Sequence, residues 1–377
     1  MTPTHRLRAL AAATAVALVG LTGCTAATSE PSADTRTAVP TTGATPAEPS
    51  DSPAPDPSRP GSEPVATPVA EALDTPWGLV ALPDGTFLVS QRDDRTILHI
   101  DGEHRTTVAT LAEVRPGGEG GLLGLAASPD ARTVLAYFTA EQDNRIVSMS
   151  WDGSALGAPT PVFTGIPKAG RHNGGRLVIG PDGLLYVGTG DSGDSDLAQD
   201  RASLGGKILR LRLDGRPAPG NPFDSAVYSY GHRNVQGLAF DDAGRLWASE
   251  FGDQTWDELN LITAGGNYGW PLAEGSGGTD EMINPKVVWP TSEASPSGLA
   301  FWRGELWMAA LRGQRLWEIP LDGTTPGLPV SRFDDAYGRL RSVTVAADGE
   351  SLLLSASNTD GRADPEAVDD QLLRVTR

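Results

Sequence analysis

The stretch from Arg171 to Asp191, RHNGGRLVIGPDGLLYVGTGD, carries a histidine at its start and an aspartate at its end. Two apolar runs joined by a Pro-Asp-Gly turn separate them, which is the pattern of a β-hairpin. Residues before the first strand and after the second strand lie at the same end of a hairpin, so we expect His172 and Asp191 to be neighbours. A histidine hydrogen-bonded to an aspartate has a fixed tautomer and suits a general base near neutral pH.

The sequence offers no nucleophile of the usual kinds beside this base. No serine stands in a G-x-S-x-G elbow, and the single cysteine, Cys24, lies near the N-terminus. The segment GTGDSG from Gly188 matches G-x-G-x-x-G, but it follows a hairpin strand and does not lie in a βαβ unit, so it does not predict a dinucleotide site. Proton abstraction is therefore favoured over acyl transfer.

A second concentration of polar residues, SEFGDQTWDELNLITAGGNYGWP, runs from Ser249 to Pro271. Asp253, Asp257 and Glu258, together with nearby loop carbonyls, are hard oxygen ligands that suit calcium better than zinc. Their spacing is not that of an EF-hand. The stretch is compatible with a calcium site and also with a solvated acidic loop, and the residue types alone leave both open.

The hairpin that carries His172 belongs to a set of six similar segments. The six are GLVALPDGTFLVSQR from Gly78, GLAASPDARTVLAYFT from Gly124, RLVIGPDGLLYVGTGD from Arg176, GLAFDDAGRLWASEFG from Gly237, GLAFWRGELWMAALR from Gly298 and SVTVAADGESLLLSAS from Ser342. They start 44 to 61 residues apart, close to or slightly above the spacing of propeller blades, and no long amphipathic helix pattern lies between them. We therefore predict an all-β fold, a six-bladed β-propeller of four-stranded antiparallel blades, with an open solenoid as the main alternative.

In such a ring, the hairpin rule collects polar side chains on one face, around the mouth of the central channel. The residues just before first strands or just after second strands are Gln91, Arg92, Glu119, His172, Asp191, Arg233, Asn234, Gly252, Asp253, Arg312, Arg339 and Arg341. An isolated arginine in a loop is usually solvated. Convergence of several arginines, a histidine and carboxylates from different blades predicts a functional site on this face.

The ends of the chain predict three segments. Residues 1–24 read as a secretory signal peptide, with a basic start, a short apolar run and an LTGC ending that resembles a lipobox with Cys24 as the lipidated residue. An ordinary cleaved signal is the alternative. Residues 25–64 are rich in Pro, Ser, Thr and Ala and predict a disordered linker, because they cannot bury enough apolar surface to fold. Residues 65–377 form the predicted propeller domain.

The charge of the chain limits its partners. The formal net charge of −18 argues against nucleic acid, whose binding relies on Lys and Arg. The signal and lipobox predict an extracytoplasmic protein, attached to the bacterial cell membrane only through its N-terminal lipid. An anionic small ligand would need a local concentration of arginines, which the predicted rim supplies.

Several motifs together resemble the soluble quinoprotein glucose dehydrogenase family, which includes the aldose sugar dehydrogenases and the glucose/sorbosone dehydrogenases. They are GEGGLLGL, HNGGRLVIGPDG, YVGTGD, GKILRL, GHRNVQGLAF, DELNLITAGGNYGWP and GRLRSV, between about Thr75 and the C-terminus. The resemblance implies a six-bladed propeller that binds pyrroloquinoline quinone (PQQ) and calcium. It also implies oxidation of aldose sugars at C1 to the lactone.

The resemblance also implies a role for each matching residue. His172 is similar to the base that takes the sugar hydroxyl proton while hydride passes to the quinone, and Asp191 to its orienting partner. The remaining implied positions are Arg233 and Asn234 at the quinone oxygens, Arg312, Arg339 and Arg341 at the cofactor carboxylates, the main-chain oxygens of Gly252 and Asp253 at the cofactor calcium, and Glu258 with Tyr268 at a second calcium. Calcium would polarise the quinone as a Lewis acid.

Two residues depart from the family pattern. Glu119 stands where these enzymes usually have glutamine near the substrate, and its carboxylate would repel an anionic cofactor or accept two sugar hydroxyls. Asp253 stands where proline commonly follows the calcium-binding glycine, but a carbonyl ligand survives any side chain.

Other functions remain compatible with the sequence. The chain lacks a haem-binding CxxCH motif, so a dehydrogenase of this kind would pass its electrons to a separate acceptor. A non-catalytic calcium-stabilised propeller that binds carbohydrate or protein is one alternative. A calcium-dependent lactonase is another, although it leaves the rim arginines unexplained.

Overall fold

The computed structural model describes residues 63–377, which form a ring of antiparallel sheets. The predicted signal, with Cys24, and residues 25–62 of the predicted linker lie outside the described residues. The first strand is β1 (Val65–Ala70). Within residues 63–377 no helix has the length and apolar character needed to cross a bilayer.

Each of the first three blades is a four-stranded meander in which consecutive strands pair. Blade 1 contains β2 (Pro76–Ala81), β3 (Phe87–Gln91), β4 (Thr96–Asp101) and β5 (His104–Thr110); blade 2 contains β6 (Leu122–Ala127), β7 (Thr133–Thr139), β8 (Asn144–Ser150) and β9 (Thr160–Ile166); blade 3 contains β10 (Leu177–Ile179), β11 (Leu185–Gly188), β12 (Lys207–Leu211) and β13 (Val227–Tyr230). A one-turn helix, α1 (Asp196–Gln199), lies between β11 and β12.

The last three blades follow the same plan with two variations. Blade 4 contains β14 (Val235–Phe240), β15 (Leu246–Glu250), β16 (Trp256–Leu261) and β17 (Val287–Pro290); blade 5 contains β18 (Pro296–Trp302), β19 (Glu305–Ala310), β20 (Arg315–Asp322), β21 (Thr325–Pro326) and β22 (Val330–Arg332); blade 6 contains β23 (Leu340–Val345), β24 (Leu352–Ala356) and β25 (Leu372–Thr376). In blade 5 the fourth strand is split, since both β21 and β22 pair with β20. In blade 6 the fourth strand is β1, which pairs with β25.

The six hairpins predicted from the sequence are the two inner strands of the six blades. Each innermost strand, β2, β6, β10, β14, β18 and β23, contacts the next one, and β23 contacts β2. The ring is therefore closed, which confirms the six-bladed propeller and excludes the open solenoid.

Apolar side chains fill the space between the blades. Six clusters of buried residues join neighbouring blades, from the cluster around Leu88 and Phe138 between blades 1 and 2 to the cluster around Val89 and Leu353 between blades 6 and 1. Sheet-on-sheet packing of this kind needs strands that are apolar on both faces. The inner strands β3, β11 and β15 are buried at every residue.

Glycines near the start of the inner strands permit the close approach of neighbouring blades. A Cβ on Gly124 would lie 2.1 Å from the main-chain oxygen of Gly175, and one on Gly237 would lie 2.3 Å from that of Ser297. Side chains at these two positions would push adjacent inner strands apart. The repeated Gly-Leu that opens four of the hairpins in the sequence therefore has a packing role at the channel.

Candidate active site

His172 and Asp191 lie together at the mouth end of blade 3. His172 Nδ1 is 2.7 Å from Asp191 Oδ1, the neighbourhood that the hairpin geometry predicts. The same carboxylate accepts hydrogen bonds from the main-chain N–H of Gly193 at 2.7 Å and from the indole of Trp270 at 2.8 Å. Burial acts to raise the pKa of Asp191, but the hydrogen bonds from His172, Gly193 and Trp270 outweigh it and lower that pKa. The ionised carboxylate fixes the proton on Nδ1 and leaves Nε2 as the basic nitrogen.

The backbone of His172 is held in an uncommon conformation. Its φ is 53°, in the left-handed region that residues other than glycine rarely adopt, at a typical cost of about 1 kcal/mol or more. The main-chain N–H of His172 donates to Glu119 Oε2 at 2.8 Å, and its carbonyl accepts from the N–H of Ser192. The side chain of Glu119, just before blade 2, and the loop after Asp191 thus fix the backbone of His172 and with it the position of the imidazole.

Five arginines line a cavity of about 400 Å³ on the same face. They are Arg92, Arg312, Arg339, Arg341 and Arg362. Glu119 is the one carboxylate among the lining residues, and Trp77, Gln236 and Phe251 supply apolar and amide surface. The predicted convergence of rim arginines therefore occurs, in a chain whose formal charge is −18.

A buried aspartate holds two of these arginines. Asp360 accepts a hydrogen bond from Arg339 Nη2 at 2.9 Å and one from Arg341 Nη2 at 3.3 Å. Burial lowers the pKa of Arg341 to about 9. The Nε–H of Arg341 is buried with no acceptor among the described residues. An unpaired buried donor of this kind is costly unless a ligand satisfies it.

Arg233 and Asn234 lie at the start of blade 4, between the His–Asp pair and the acidic loop. Arg233 donates from Nη2 to Asp253 Oδ1 at 2.8 Å, and its guanidinium carbon lies 5.3 Å from the ring centroid of Trp270. Arg233 Nε is buried, again with no partner in residues 63–377. The side-chain oxygen of Asn234 accepts from the N–H of Gly174 at 3.0 Å, which ties this residue to the His172 hairpin.

The predicted first calcium position lies in the loop between β15 and β16, and the side chain of Glu274 fixes this loop. One oxygen of Glu274 accepts the main-chain N–H groups of residues 253–256 at 2.7 to 3.1 Å. Within residues 63–377, no hydrogen bond is donated to the carbonyl of Gly252 or to that of Asp253. Burial raises the pKa of neighbouring Asp257 to about 6, and its carboxylate accepts from the N–H of Gly252.

The predicted second calcium position contains two buried carboxyls. Glu258 pairs across the sheet with Glu250, and burial raises the pKa of each to about 8. Tyr268 uses its hydroxyl to donate to the carbonyl of Leu261 and to accept from the N–H of Thr263, so only its main-chain oxygen is available as a ligand.

The space at this second position is small. A void of about 10 Å³ lies among Glu250, Glu258 and Tyr268, roughly the space that one water-sized sphere occupies. Over residues 63–377, no group of three or more His, Cys, Asp or Glu side chains is arranged to hold a metal.

The sequence interpretation missed several residues of the site. Trp270 lies in the motif DELNLITAGGNYGWP, whose residue types do not predict that its indole holds Asp191. Asp360 and Arg362 come from the loop between β24 and β25, which has no hairpin pattern. Gln236 accepts from Arg341 at 3.0 Å. Of these residues, only Gln236 lies at the start of an inner strand, where a polar residue is a signal of the site in the sequence.

Comparison with known proteins identifies the class of enzyme to which this ring and site belong. A family model described as glucose/sorbosone dehydrogenase matches residues 73–369. The propeller, with a His–Asp pair beside a cationic cavity, is thus that of an oxidoreductase of the sugar dehydrogenase class. The chain belongs to the glucose/sorbosone dehydrogenase family.

Individual relatives agree with this membership. The PQQ-bound form of aldose sugar dehydrogenase from Streptomyces coelicolor is 54% identical, with a TM-score of 0.81 over 84% of this chain and 99% of that chain. Aldose sugar dehydrogenase YliI of Escherichia coli is 29% identical over 76% of this chain and 88% of that protein. Quinoprotein glucose dehydrogenase B of Acinetobacter calcoaceticus is 34% identical over 54% of this chain and 51% of that protein.

Proposed function

We propose that the protein oxidises aldose sugars at C1 to the lactone, with PQQ and calcium as cofactors. The observation that carries the proposal is the His172–Asp191 pair, 2.7 Å apart, on the same face as a cavity lined by five arginines. A base with a fixed tautomer supports removal of a hydroxyl proton. The description of the Streptomyces relative as PQQ-bound supports this choice of cofactor.

The cavity fits an anion that carries several carboxylates. Arg312, Arg339 and Arg341 would hold the PQQ carboxylates, because a guanidinium binds a planar carboxylate through two parallel hydrogen bonds. The buried Nε of Arg341 and that of Arg233 lack acceptors within the described chain, and an anion at the mouth would supply them. Arg233 and Asn234 would face the quinone oxygens, where negative charge develops during reduction. When bound, the quinone would supply the acceptor for the hydride of C1.

His172 and Asp191 would move the proton. Nε2 of His172 takes the proton of the C1 hydroxyl as the C1–H hydrogen leaves with its electron pair, so that C1 becomes a carbonyl carbon. Asp191, ionised and buried, stabilises the imidazolium that results. Glu119, one-quarter exposed at its side chain, would accept hydroxyl hydrogen bonds of the sugar.

Calcium would bind through main-chain oxygens of the acidic loop. The uncommitted carbonyls of Gly252 and Asp253 are hard ligands of the kind that calcium prefers, and calcium there would supply Lewis-acid polarisation of the cofactor. Glu258 and the main-chain oxygen of Tyr268 would hold a second calcium. Binding of calcium to Glu258 requires its carboxyl to ionise, so the burial that raises its pKa makes this second site weaker at low pH.

The remaining parts of the proposal concern location and electron flow. We infer an extracytoplasmic protein that is attached to the membrane by a lipid on Cys24, from the LTGC segment of the sequence. The small-molecule partner is a sugar. Electrons from the reduced cofactor pass to a separate acceptor, since the sequence contains no haem-binding motif.

The test is dye-linked oxidation of a panel of aldoses by the purified apoprotein. We expect turnover only when PQQ and calcium are both added, with binding of PQQ visible as a change in its absorbance. Turnover without PQQ, or the absence of both binding and turnover, would reject the proposal. A lactonase control, in which lactone hydrolysis is assayed with calcium alone, distinguishes the hydrolytic alternative.

A further inference from the structure

Arg362 and Glu119 form an ion pair across the mouth of the cavity. Arg362 Nη2 is 3.0 Å from Glu119 Oε1, and the two residues are 243 positions apart in the chain. The other oxygen of Glu119 accepts the main-chain N–H of His172. One carboxylate therefore connects the loop of Arg362 with the candidate base.

Hydrogen bonds within the loop between β24 and β25 fix the position of Arg362. Its main-chain N–H donates to Asp360 Oδ1 at 3.0 Å. Asp360 is in turn fixed by Arg339 and Arg341, and Asp370 at the end of the loop accepts the main-chain N–H of Asn358. The segment from Asp360 to Arg362 thus supplies both the carboxylate that holds Arg339 and Arg341 and the guanidinium that pairs with Glu119.

The pair solves an electrostatic problem that Glu119 creates. A carboxylate in the lining of a cavity that receives an anion repels that anion. Arg362 is the cation in direct contact with Glu119, while Arg92 and Arg341 attract it from a greater distance. With Arg362 in place, the pair contributes no net charge to the cavity, and both Glu119 oxygens are already oriented by donors.

We propose that Arg362 is a positioning residue that neutralises and orients Glu119, so that a carboxylate faces the sugar without repelling the cofactor. The inference rests on the proposed function, because it assumes an anionic cofactor in the arginine cavity. It assigns a role to a residue outside all of the motifs that resemble the family.

A double-mutant cycle on PQQ binding tests the proposal. The dissociation constant of PQQ is measured by absorbance titration of the apoprotein in the presence of calcium, for wild type, R362Q, E119Q and E119Q/R362Q. We expect R362Q to weaken binding at least about tenfold, because it removes a cation from the cavity and also releases the Glu119 carboxylate from the orientation that the ion pair fixes, so that this carboxylate can approach the bound anion. In the E119Q background the same change should weaken binding at least about three times less.

Two further variants separate this role from general effects of charge. R303Q removes an exposed arginine that pairs with Glu350 at a hairpin turn, changes the net charge by the same amount, and should leave the dissociation constant unchanged. R362K keeps the charge and should retain most of the affinity. Thermal melting of every variant establishes that it is folded.

The possible results separate a failure of the proposed function from a failure of the inference about Arg362. No binding of PQQ by wild-type protein overturns the proposed function and this inference with it. Binding by wild type, with equal losses from R362Q in both backgrounds, overturns the inference alone, because Arg362 would then act only as one more cation. A smaller loss in the E119Q background, with rescue by R362K, supports the pair as assigned.

Discussion

At the scale of single residues, Asp191 is the group on which the candidate base depends. It accepts hydrogen bonds from His172, Gly193 and Trp270 and is almost completely buried. Hydrogen bonds to an ionised acceptor are about twice as strong as neutral ones. Three of them can keep a buried carboxylate charged, and a charged carboxylate is what determines which imidazole nitrogen carries the proton.

Replacement of the candidate base tests its catalytic role. We expect His172→Ala to lower kcat for aldose oxidation by about 10²- to 10⁴-fold, the usual contribution of a general base. The affinity for PQQ should change little, since His172 is not among the residues that line the cavity. Steady-state kinetics and PQQ titration measure the two effects.

A control for this substitution is His104→Ala, which removes an exposed histidine from the outer strand of blade 1. It should leave both quantities unchanged. Loss of PQQ binding in His172→Ala with little change in kcat at saturating cofactor would show that His172 binds the cofactor and is not the base.

The lowered pKa of Asp191 has a consequence for stability. Its folded pKa lies below the ordinary value of 3.8, so the stabilisation from this carboxylate is complete above that value and is lost as the pH falls through the folded pKa. We expect the gap in free energy of unfolding between wild type and Asp191→Asn to be constant from about pH 6 to pH 5 and to shrink below about pH 4. Urea unfolding across this range measures it.

The comparison for this pH series is Asp101→Asn, an exposed aspartate at the end of β4. The difference in free energy of unfolding between Asp101→Asn and wild type should stay near zero over the whole pH range. A gap for Asp191→Asn that persists unchanged at pH 3 would mean that folding does not lower the pKa of this carboxyl, and the claim that its hydrogen bonds favour the charged form would then fail.

These residues differ in how far the sequence could predict them. His172 and Asp191 are the two ends of one hairpin, and local turn chemistry alone brings them together. Arg362 reaches Glu119 from the opposite end of the chain, out of a loop with no periodic pattern. The local sequence around either residue does not predict this contact, because the two segments come together only when the ring of blades closes.

At the scale of elements, the loop that follows Asp191 is held from inside by a lysine. Lys207, at the start of β12, is completely buried. Its ammonium donates to the carbonyls of Leu197, Ala198 and Gly205 at 2.6 to 2.9 Å. These carbonyls belong to α1 and the turn before β12, so one side chain satisfies the end of the short helix and fixes the loop behind the candidate base.

Removal of this lysine should destabilise the protein. Lys207→Met keeps the length of the side chain but leaves the carbonyls of Leu197 and Gly205 with no other donor among the described residues, while that of Ala198 keeps the N–H of Gly231. We expect the free energy of unfolding to fall by about 3 kcal/mol at pH 7. Urea denaturation measures the change. Lys168→Met, at an exposed position, should shift it by less than about 0.5 kcal/mol. Equal effects of the two substitutions would contradict this role.

The strands show a similar division in what the sequence reveals. The inner strands alternate little and are mostly apolar, so they stand out between turn residues. The outer strand β5 is exposed over its first four residues and is composed largely of His, Arg and Thr, which carries no clear pattern of burial. Its place in the blade follows from pairing with β4, a contact that the residue types of β5 do not predict on their own.

At the scale of the whole molecule, the distribution of charge separates the mouth from the rest of the surface. The chain has 48 acidic and 30 basic residues, yet five arginines and one carboxylate line the cavity. A cationic cleft in an acidic protein attracts an anionic ligand to one place and repels it elsewhere. The composition alone argues against nucleic acid as a partner, but only the ring geometry concentrates the arginines.

The last blade is completed by β1, which comes first in the described chain. Five residues of β1 are in register with β25. Ala66 packs on the cluster between blades 5 and 6, and Val69 and Ala70 pack on the cluster between blades 6 and 1. The strand therefore seals two blade interfaces as well as one sheet edge.

A truncation pair isolates the contribution of this strand. A chain that begins at Glu71 lacks β1, whereas a chain that begins at Glu63 retains it, and both contain every candidate site residue of the propeller. We expect the shorter chain to lose roughly 3 to 5 kcal/mol of unfolding free energy, because about five net hydrogen bonds and the apolar contacts of β1 disappear. It should also aggregate more readily through the exposed edge of β25. Equal urea midpoints for the two chains would show that the other five blades and the β23–β25 sheet close the ring without the first strand.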